Sequence, residues 1–256
     1  MLAAVILLAY ALASIIGLPE RSYALQLPGV YFEIEINIRT IITLLVAALT
    51  ASGAEWLVRE HPSQKHRSTF EHWLLPALTA WAIGVPLLHG TFGVFWIAGV
   101  FLGGGALILV LVAEYIVVDP EDQRYAPAAI GLTATSFALY LILAISLRYS
   151  QFRLFILLPA LTLANGLVSL RVLHLRLRGQ WAWLQTGVMV LIMAQLTTAL
   201  HYLPGSPITF GLLLLGPVYA LTSLIGGYAE GKPWQKVIAE PLVVLVLITG
   251  LAIWLR

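Results

Sequence analysis

The chain is built from apolar runs about twenty residues long, which recur from one end of the sequence to the other. The hydrocarbon core of a bilayer is about 30 Å thick, and a helix needs roughly 20 apolar residues to cross it. No polar stretch between the runs is long enough for a soluble domain. The runs therefore predict an all-α fold, a polytopic transmembrane helix bundle that uses residues 1–256 as a single domain.

Composition agrees with this prediction and removes several kinds of chemistry. Hydrophobic residues make up 60% of the chain and charged residues 10%, and the mean hydropathy is +0.93. Soluble domains carry about 25% charged residues. The absence of cysteine excludes disulfides, thiol catalysis, iron–sulfur clusters and zinc–thiolate sites. The lipid bilayer is thus the expected partner, and we expect no nucleic-acid partner.

The apolar runs divide into nine predicted helices. Their approximate bounds are 1–18, 38–58, 71–89, 92–118, 127–147, 152–175, 181–203, 208–228 and 237–255. No Lys or Arg precedes the first run, so we expect a retained helix and not a signal peptide. Between the first two helices, apolar and polar residues alternate over 30–38. The alternation predicts an extended segment against the membrane surface or a strand with one apolar face, although an irregular interfacial loop with chance alternation is an equally good explanation.

Three local patterns indicate how helices begin and pack. Ser68-Thr-Phe-Glu71 fits a capping box at the start of the third helix. Asp119-Pro120 is typical of a helix start, with an N-cap followed by proline. Gly103-Gly104-Gly105 predicts close backbone approach of the fourth helix to a neighbour.

A charged hinge, which we define as residues 55–76, separates the second and third apolar runs. It contains three of the six histidines in the chain. Carboxylates and imidazoles together can bind a divalent metal or act as general acid and base. The hinge candidates are Glu55, Arg59, His61, His66, Glu71 and His72.

The spacing of these groups matches no established metal motif, so we predict no metal site. Glu55 and Arg59 lie four residues apart on one helix, in the order that favours an ion pair. We expect Arg59 to pair with Glu55 or with an acid of the loop 119–122. Glu71 is explained by the capping box, and His72 fits a belt of amphipathic rings at the membrane interface. His61 and His66 are expected to be solvated loop residues.

Few polar residues lie inside the predicted helices. Glu114 lies about one turn from the end of the fourth helix, from which it could reach the interface by snorkelling. Asn165 and Gln195 lie nearest the midplane. Together with Pro76 and Pro159, these three are the candidate substrate-binding residues.

No acidic or basic residue is evident at the midplane, which argues against an ion-driven pump. His89 and His201 fall at the outer ends of their helices and are conceivable as a haem pair, but nothing fixes them on facing helices. We therefore predict no cofactor.

The basic residues indicate the orientation. With nine helices, nine of the fourteen Lys and Arg residues fall on one side of the membrane and five on the other. The richer side is expected to be cytoplasmic, which places the amino terminus inside and the carboxyl terminus outside.

A hexapeptide recurs along the chain. Leu74-Leu-Pro-Ala-Leu-Thr79 reappears as residues 157–162, an offset of 83 residues (157 minus 74), and Gly104 meets Gly187 at the same offset. The match predicts two three-helix units of opposite orientation, residues 38–118 and 121–203. Inverted repeats with matching proline-interrupted helices are typical of transporters. Because Leu, Ala and Thr are abundant here, chance is an equally good explanation.

One pattern resembles a known family. Residues 55–62 read E-W-L-V-R-E-H-P, and residues 72–76 read H-W-L-L-P. This combination resembles an uncharacterised family of polytopic bacterial membrane proteins. The resemblance covers the second and third helices and implies a bacterial inner membrane, but no activity or site residues.

Three hypotheses about function follow from these patterns. The first is a small-solute or lipid transporter built on the inverted repeat. The second is an accessory or scaffold subunit, with other membrane subunits as partners. The third is an enzyme that acts on lipid headgroups at the cytoplasmic interface, with the acids and imidazoles of the hinge as its reactive groups.

Overall fold

The computed structural model describes residues 2–15, 21–27, 30–36, 38–62, 69–90, 93–177 and 179–255. The described residues form nine helices and two strands. In chain order these are α1 (Leu2–Ile15), β1 (Arg21–Leu27), β2 (Val30–Ile36), α2 (Ile38–Arg59), α3 (Glu71–His89), α4 (Val94–Ile116), α5 (Tyr125–Tyr149), α6 (Leu154–Arg176), α7 (Trp183–His201), α8 (Pro207–Ala229) and α9 (Trp234–Trp254). The prediction of a nine-helix bundle is therefore confirmed.

The alternating segment between α1 and α2 is a strand. β2 pairs antiparallel with β1, and the register runs from Arg21 opposite Ile36 to Leu27 opposite Val30. The period-two pattern thus identified one strand of a hairpin, while its partner β1 was not predicted. In Arg21–Leu27 polar and apolar residues alternate less regularly, so the sequence gives a weaker signal for β1.

Seven of the described helices, α2 and α4 to α9, are long and apolar enough to cross a membrane. The protein is accordingly a multi-pass membrane protein. The exceptions are α1, which is 14 residues long, and α3, which has 19 residues and two internal prolines, Pro76 and Pro86. Most residues of α3 are buried inside the bundle.

α3 is the centre of the bundle. It packs against α1, α2, α4, α5 and α6. Leu75, Leu78, Ala80 and Ala82 on this helix are at most 1% exposed. A proline removes one helical hydrogen bond, which neighbouring helices tolerate more easily when the segment is surrounded by protein. This applies to Pro76, which is buried, whereas Pro86 is exposed near the end of α3.

The short helix α1 is held against α3 by one hydrogen bond and one close approach. The hydroxyl of Tyr10 donates to the carbonyl oxygen of Ala80, at 2.8 Å, and Tyr10 is fully buried. A Cβ added to Gly84 would lie 2.6 Å from the Tyr10 ring. Gly84 thus leaves the space that the tyrosine ring occupies.

Two of the three consecutive glycines of α4 provide the predicted close approach. A Cβ on Gly103 would lie 2.6 Å from Ile83 of α3, and one on Gly104 would lie 2.6 Å from Leu7 of α1. Gly105 has open space around its Cα. The glycine triplet therefore joins α4 to two different helices through its first two members.

Asp119-Pro120 does not begin a helix, which corrects the sequence prediction. α5 begins at Tyr125. The side chain of Asp119 accepts a hydrogen bond from the amide of Glu121, at 3.0 Å, and Asp122 accepts one from the amide of Arg124, at 2.8 Å. Asp can cap a turn as well as a helix, and here two such turns precede α5.

The paired glycines of α4 give a stability test. We expect Gly103→Ala to lower the free energy of unfolding by about 1–3 kcal/mol, because the new methyl group meets the branched side chain of Ile83. Gly105→Ala on the same helix meets no atom and is expected to be neutral or slightly stabilising. Thermal unfolding in detergent measures both. Equal melting temperatures for the two variants would contradict the packing of α4 on α3.

Candidate functional site

Glu114 is the most deeply buried acid among the described residues. It lies near the end of α4 and is 1% exposed. The expectation that its side chain snorkels to the interface is wrong, because the carboxylate points into the bundle and is bound there by two other helices. A charge shielded from water near lipid is stable only with partners.

The first partner is Arg171 of α6, which is also 1% exposed. Its Nε donates to Oε1 of Glu114 at 3.0 Å, and its Nη2 donates to Oε2. This two-pronged contact uses both carboxylate oxygens and is the geometry in which a guanidinium binds a carboxylate most strongly. Arg171 and Glu114 together link α6 to α4.

The second partner is His72, in the first turn of α3. Its Nδ1 lies 2.7 Å from Oε2 of Glu114, and the side chain is 6% exposed. An ionised carboxylate can only accept hydrogen bonds, so Nδ1 carries the proton in this contact. His72 is therefore not part of an interfacial aromatic belt, as the sequence suggested, but of a buried polar cluster.

We call His72, Glu114 and Arg171 the ion cluster. It joins α3, α4 and α6 near one end of the bundle, and each member comes from a different helix. With a neutral imidazole the cluster has no net charge, which reduces the cost of burial. Removing any one member would leave the other two incompletely paired.

A polar cavity of about 330 Å³ lies beside the ion cluster. We call it the inner cavity. His72 and Arg171 line it. The other lining residues come from α3, the segment between α4 and α5, the first residue of α5, the last turns of α6 and the turn after α6. The remaining lining residues are Glu71, Val117, Val118, Pro120, Tyr125, His174, Leu175 and Gly179.

Two buried polar atoms near this cavity are without a hydrogen-bond partner among the described residues. They are Oε2 of Glu71 and Nδ1 of His174. Buried polar atoms are nearly always paired in proteins, with another protein group, water or a ligand. The inner cavity therefore has spare acceptor and donor capacity for water or a polar solute.

The predicted capping role of Glu71 is not seen in the described residues. The residue before α3 is Phe70, which makes no side-chain cap, and Ser68 lies outside the described residues. Oε1 of Glu71 instead lies 4.0 Å from Nε2 of His72. Glu71 is thus a cavity residue.

An aromatic group packs against His174, one of the residues that line the inner cavity. The ring of Trp181 lies 4.4 Å from that of His174 and stacks on Trp183 at 5.0 Å, while Phe70 approaches Trp181 at 5.7 Å. Gly179 makes this possible, since its φ of +90° lets its amide donate to the carbonyl of His174 and turn the chain back. Aromatic rings of this kind are enriched at membrane interfaces.

The other hinge residues take no part in the ion cluster. Arg59 and Glu55 form the predicted ion pair, with side chains 69% and 21% exposed. The ring of His61 packs on Tyr115 at 4.5 Å, so this histidine is not simply a solvated loop residue. His66 lies outside the described residues.

Apart from Glu114, the candidate substrate-binding residues are Pro76, Pro159, Asn165 and Gln195. Pro76 and Asn165 are buried, whereas Pro159 and Gln195 are exposed. Oδ1 of Asn165 accepts from Ser169 at 3.3 Å, and its Nδ2 has no partner among the described residues. None of these four residues lines the inner cavity. Their role in substrate binding stays a prediction.

His201, one of the two histidines considered as a haem pair, contacts an arginine. Nδ1 of His201 lies 3.2 Å from Nη1 of Arg148. Across the residues that the structure describes, no group of three or more His, Asp or Glu side chains could hold a metal ion. We therefore assign no metal or haem ligands.

Sequence reasoning missed two members of the site, Arg171 and His174. Arg171 was counted only as a basic residue of the cytoplasmic side. The positions of both residues were the available signal. Arg171 and His174 precede Leu175, the predicted last residue of the helix, and they lie three residues apart on one face. An arginine inside an otherwise apolar helix needs a buried acid, and Glu114 is the acid inside α4.

The ion cluster predicts unequal effects of removing two arginines. Arg171→Ala leaves a buried carboxylate with one partner and should lower the free energy of unfolding by about 3–5 kcal/mol. Arg59→Ala removes an exposed pair and should cost only about 0.2–1 kcal/mol. Chemical unfolding in detergent micelles measures both.

A double variant serves as the matched control. If the loss in Arg171→Ala comes from the unpaired charge, adding Glu114→Gln should recover most of it, since no buried charge then remains. Similar losses for Arg59→Ala and Arg171→Ala, or a double variant less stable than Arg171→Ala, would contradict the proposed energetics.

Comparison of the chain with curated proteins and with solved structures gives no significant match. One family model does match, over residues 18–255, and its description is a protein of unknown function, DUF5656. The match extends far beyond the second and third helices on which the sequence resemblance rested, and it includes every member of the ion cluster. The chain therefore belongs to the DUF5656 family of proteins of unknown function.

Proposed function

We propose that the protein is a transporter-like carrier of a small polar solute or lipid. The solute passes through the membrane along the central helix α3. The observation that carries this proposal is the presence of cavities at both ends of α3. The inner cavity lies at its first turn, and a second cavity, of about 700 Å³, lies along its last turns. Carriers need a site that can be reached from each side of the membrane in turn.

The second cavity, which we call the outer cavity, differs in character from the first. It is bounded by Ile83, Pro86 and Leu87 of α3, Trp96 and Gly99 of α4, and Leu139 of α5. The indole N–H of Trp96 is already used, since it donates to the carbonyl of Leu87 at 3.0 Å. An apolar outer cavity and a polar inner cavity together suit a solute with an apolar part and a polar part.

Closely packed residues separate the two cavities. Leu75, Leu78 and Thr79 lie between them on α3 and are at most 1% exposed. The hydroxyl of Thr79 is satisfied within the helix, by the carbonyl of Leu75 at 2.7 Å. We call these three residues the plug. Pro76 lies within it and weakens the helix at this level, which favours movement of one half of α3 against the other.

The ion cluster is suited to control that movement. It ties the first turn of α3 to α4 and α6, and a polar solute in the inner cavity would compete for the same donors and acceptors. That competition would change the relative stability of two arrangements of α3, which is the requirement for a switch.

The proposal also includes the orientation and the repeat. We place the ion cluster on the cytoplasmic side of a bacterial inner membrane, with the amino terminus inside and the carboxyl terminus outside. In the inverted repeat, α2 to α4 correspond to α5 to α7. α3 and α6 are the equivalent middle helices, both are largely buried, and each supplies a member of the ion cluster.

Cysteine labelling tests the proposal without knowledge of the substrate, because the chain has no cysteine of its own. A membrane-impermeant maleimide should label Val118→Cys from one side of sealed vesicles and Gly99→Cys from the other. Thr79→Cys, in the plug, should react from both sides. Its rate should be roughly 10- to 1,000-fold below that of an exposed cysteine, since each open state is a minor population.

Thr197→Cys is the control, because Thr197 is 1% exposed and lies on α7, away from both cavities. It should remain unlabelled. If Thr79→Cys is as inert as Thr197→Cys while both cavity positions are fully labelled, the bundle does not open and transport is excluded. An accessory or scaffold subunit would then be the better explanation.

A second candidate, an enzyme that acts on lipid headgroups, is favoured by one observation. Because Glu114 binds Nδ1 of His72, the opposite nitrogen Nε2 is the basic one, and it lies beside Glu71 in the inner cavity. This is the arrangement of an oriented general base. Release of headgroups from defined phospholipid vesicles would test it: His72→Gln should lower the rate about 100-fold or more, whereas Arg59→Ala should not change it. No release by the wild-type protein eliminates this candidate.

A further inference from the structure

A third cavity, separate from the transport path, lies between α5, α6, α8 and α9 and has a volume of about 360 Å³. We call it the lateral cavity. Its lining is mixed: Ala129, Ile130 and Phe137 present an apolar wall, and Arg176, Tyr219 and Glu240 present polar groups. We propose that the lateral cavity binds the headgroup of an aminophospholipid, with the phosphate at Arg176 and the ammonium at Glu240.

Glu240 is the feature that calls for a cation. It lies inside the apolar helix α9, within the candidate membrane span Val237–Trp254, and is exposed on the outside of the protein. The hydroxyl of Tyr219 donates to its Oε1 at 2.9 Å and is its only hydrogen-bond partner among the described side chains. A carboxylate at a lipid-facing position needs a partner or water. The ammonium group of a lipid would supply the opposite charge at this position.

Arg176 supplies the complementary site. Its Nε donates to Glu230 at 3.1 Å, and its Nη1 lies 3.4 Å from the hydroxyl oxygen of Ser223. Nη2 has no hydrogen bond to a described residue and remains available to a phosphate. Arg176 is the last residue of α6, so the guanidinium lies at the membrane boundary, at the level of headgroups.

The position of the guanidinium is defined by its neighbours. A Cβ on Gly226 of α8 would lie 2.8 Å from Nη1 of Arg176, so the glycine gives the guanidinium its place against the helix. Burial raises the pKa of Glu230, but the hydrogen bond and charge of Lys232 and the charge of Arg176 lower it more, so that the pKa lies below its ordinary value. Glu230 is therefore ionised at neutral pH and holds Arg176 in place.

The charges of the lateral cavity match a zwitterion and not an anion. The charged residues that line it are the cation Arg176 and the anion Glu240. Glu230, which does not line the cavity, pairs with both Arg176 and Lys232. Tyr219 and Ser223, one turn apart on α8, connect Arg176 and Glu240. A phosphoethanolamine headgroup carries a phosphate and an ammonium a few bonds apart, with N–H donors that can reach a carboxylate. The apolar wall on α5 accommodates the acyl chains.

Native mass spectrometry with defined lipids tests the proposal. The purified wild-type protein is mixed with equal amounts of dioleoyl phosphatidylethanolamine and dioleoyl phosphatidylglycerol, which share phosphate and chains but differ in the amine. We expect the ethanolamine adduct to be favoured about tenfold, the size of one charge-assisted hydrogen bond. Glu240→Gln should reduce the preference to about one.

Other variants separate the two halves of the site. Arg176→Gln should weaken both adducts, because both lipids carry the phosphate, and Gly226→Ala should do so to a smaller degree by displacing the guanidinium. Glu121→Gln, in the exposed turn before α5, is the matched control and should retain the preference.

Two further measurements keep the proposal falsifiable. If Glu240→Gln elutes as aggregate in size exclusion, Tyr219→Phe is measured instead. This variant removes the hydroxyl that donates to Glu240 and should partly lower the preference for the ethanolamine lipid. Soluble glycerophosphoethanolamine at the same concentration should not displace the lipid, because it has no acyl chains. Equal adducts on the wild-type protein, or an unchanged preference in both variants, would overturn the proposal. Neither result depends on whether the plug opens.

Discussion

The buried ion pair between Glu114 and Arg171 is the interaction on which the arrangement of the bundle most depends. Apolar side chains give little direction to helix association in a bilayer, since lipid is as apolar as they are. A two-pronged ion pair, by contrast, fixes the position and rotation of both helices. His72 extends the constraint to α3. The register of three helices is therefore set by three side chains.

The ion cluster also explains why α3 can be the central helix despite two prolines. Its first turn is anchored by His72, and its middle is anchored by Tyr10, which donates to Ala80. Between these contacts the helix is mostly apolar, and the hydroxyl of Thr79 bonds within the helix itself. Such a helix is stable in its surroundings and yet has only a few strong connections that must change when it moves. A carrier and a rigid scaffold differ in whether those connections do change.

Much of the fold was predictable from sequence because length and hydropathy alone determine membrane helices. All nine helices and the strand β2 followed from apolar runs and from alternation. The strand β1 and the real start of α5 did not, because pairing and turn geometry depend on neighbours. The site was less predictable. Glu114 and His72 were singled out, but their joint role was not, since a side chain's partner on another helix cannot be read from spacing along one helix.

The last turn of α6 has one more consequence. Leu175 lines both the inner and the lateral cavity, with Arg171 and His174 on one side and Arg176 on the other. A rotation of this turn would alter both sites together. Thermodynamic linkage then requires that occupancy of either site change the affinity of the other by the same factor. The composition of the surrounding bilayer would in this way act as an allosteric effector of the central path.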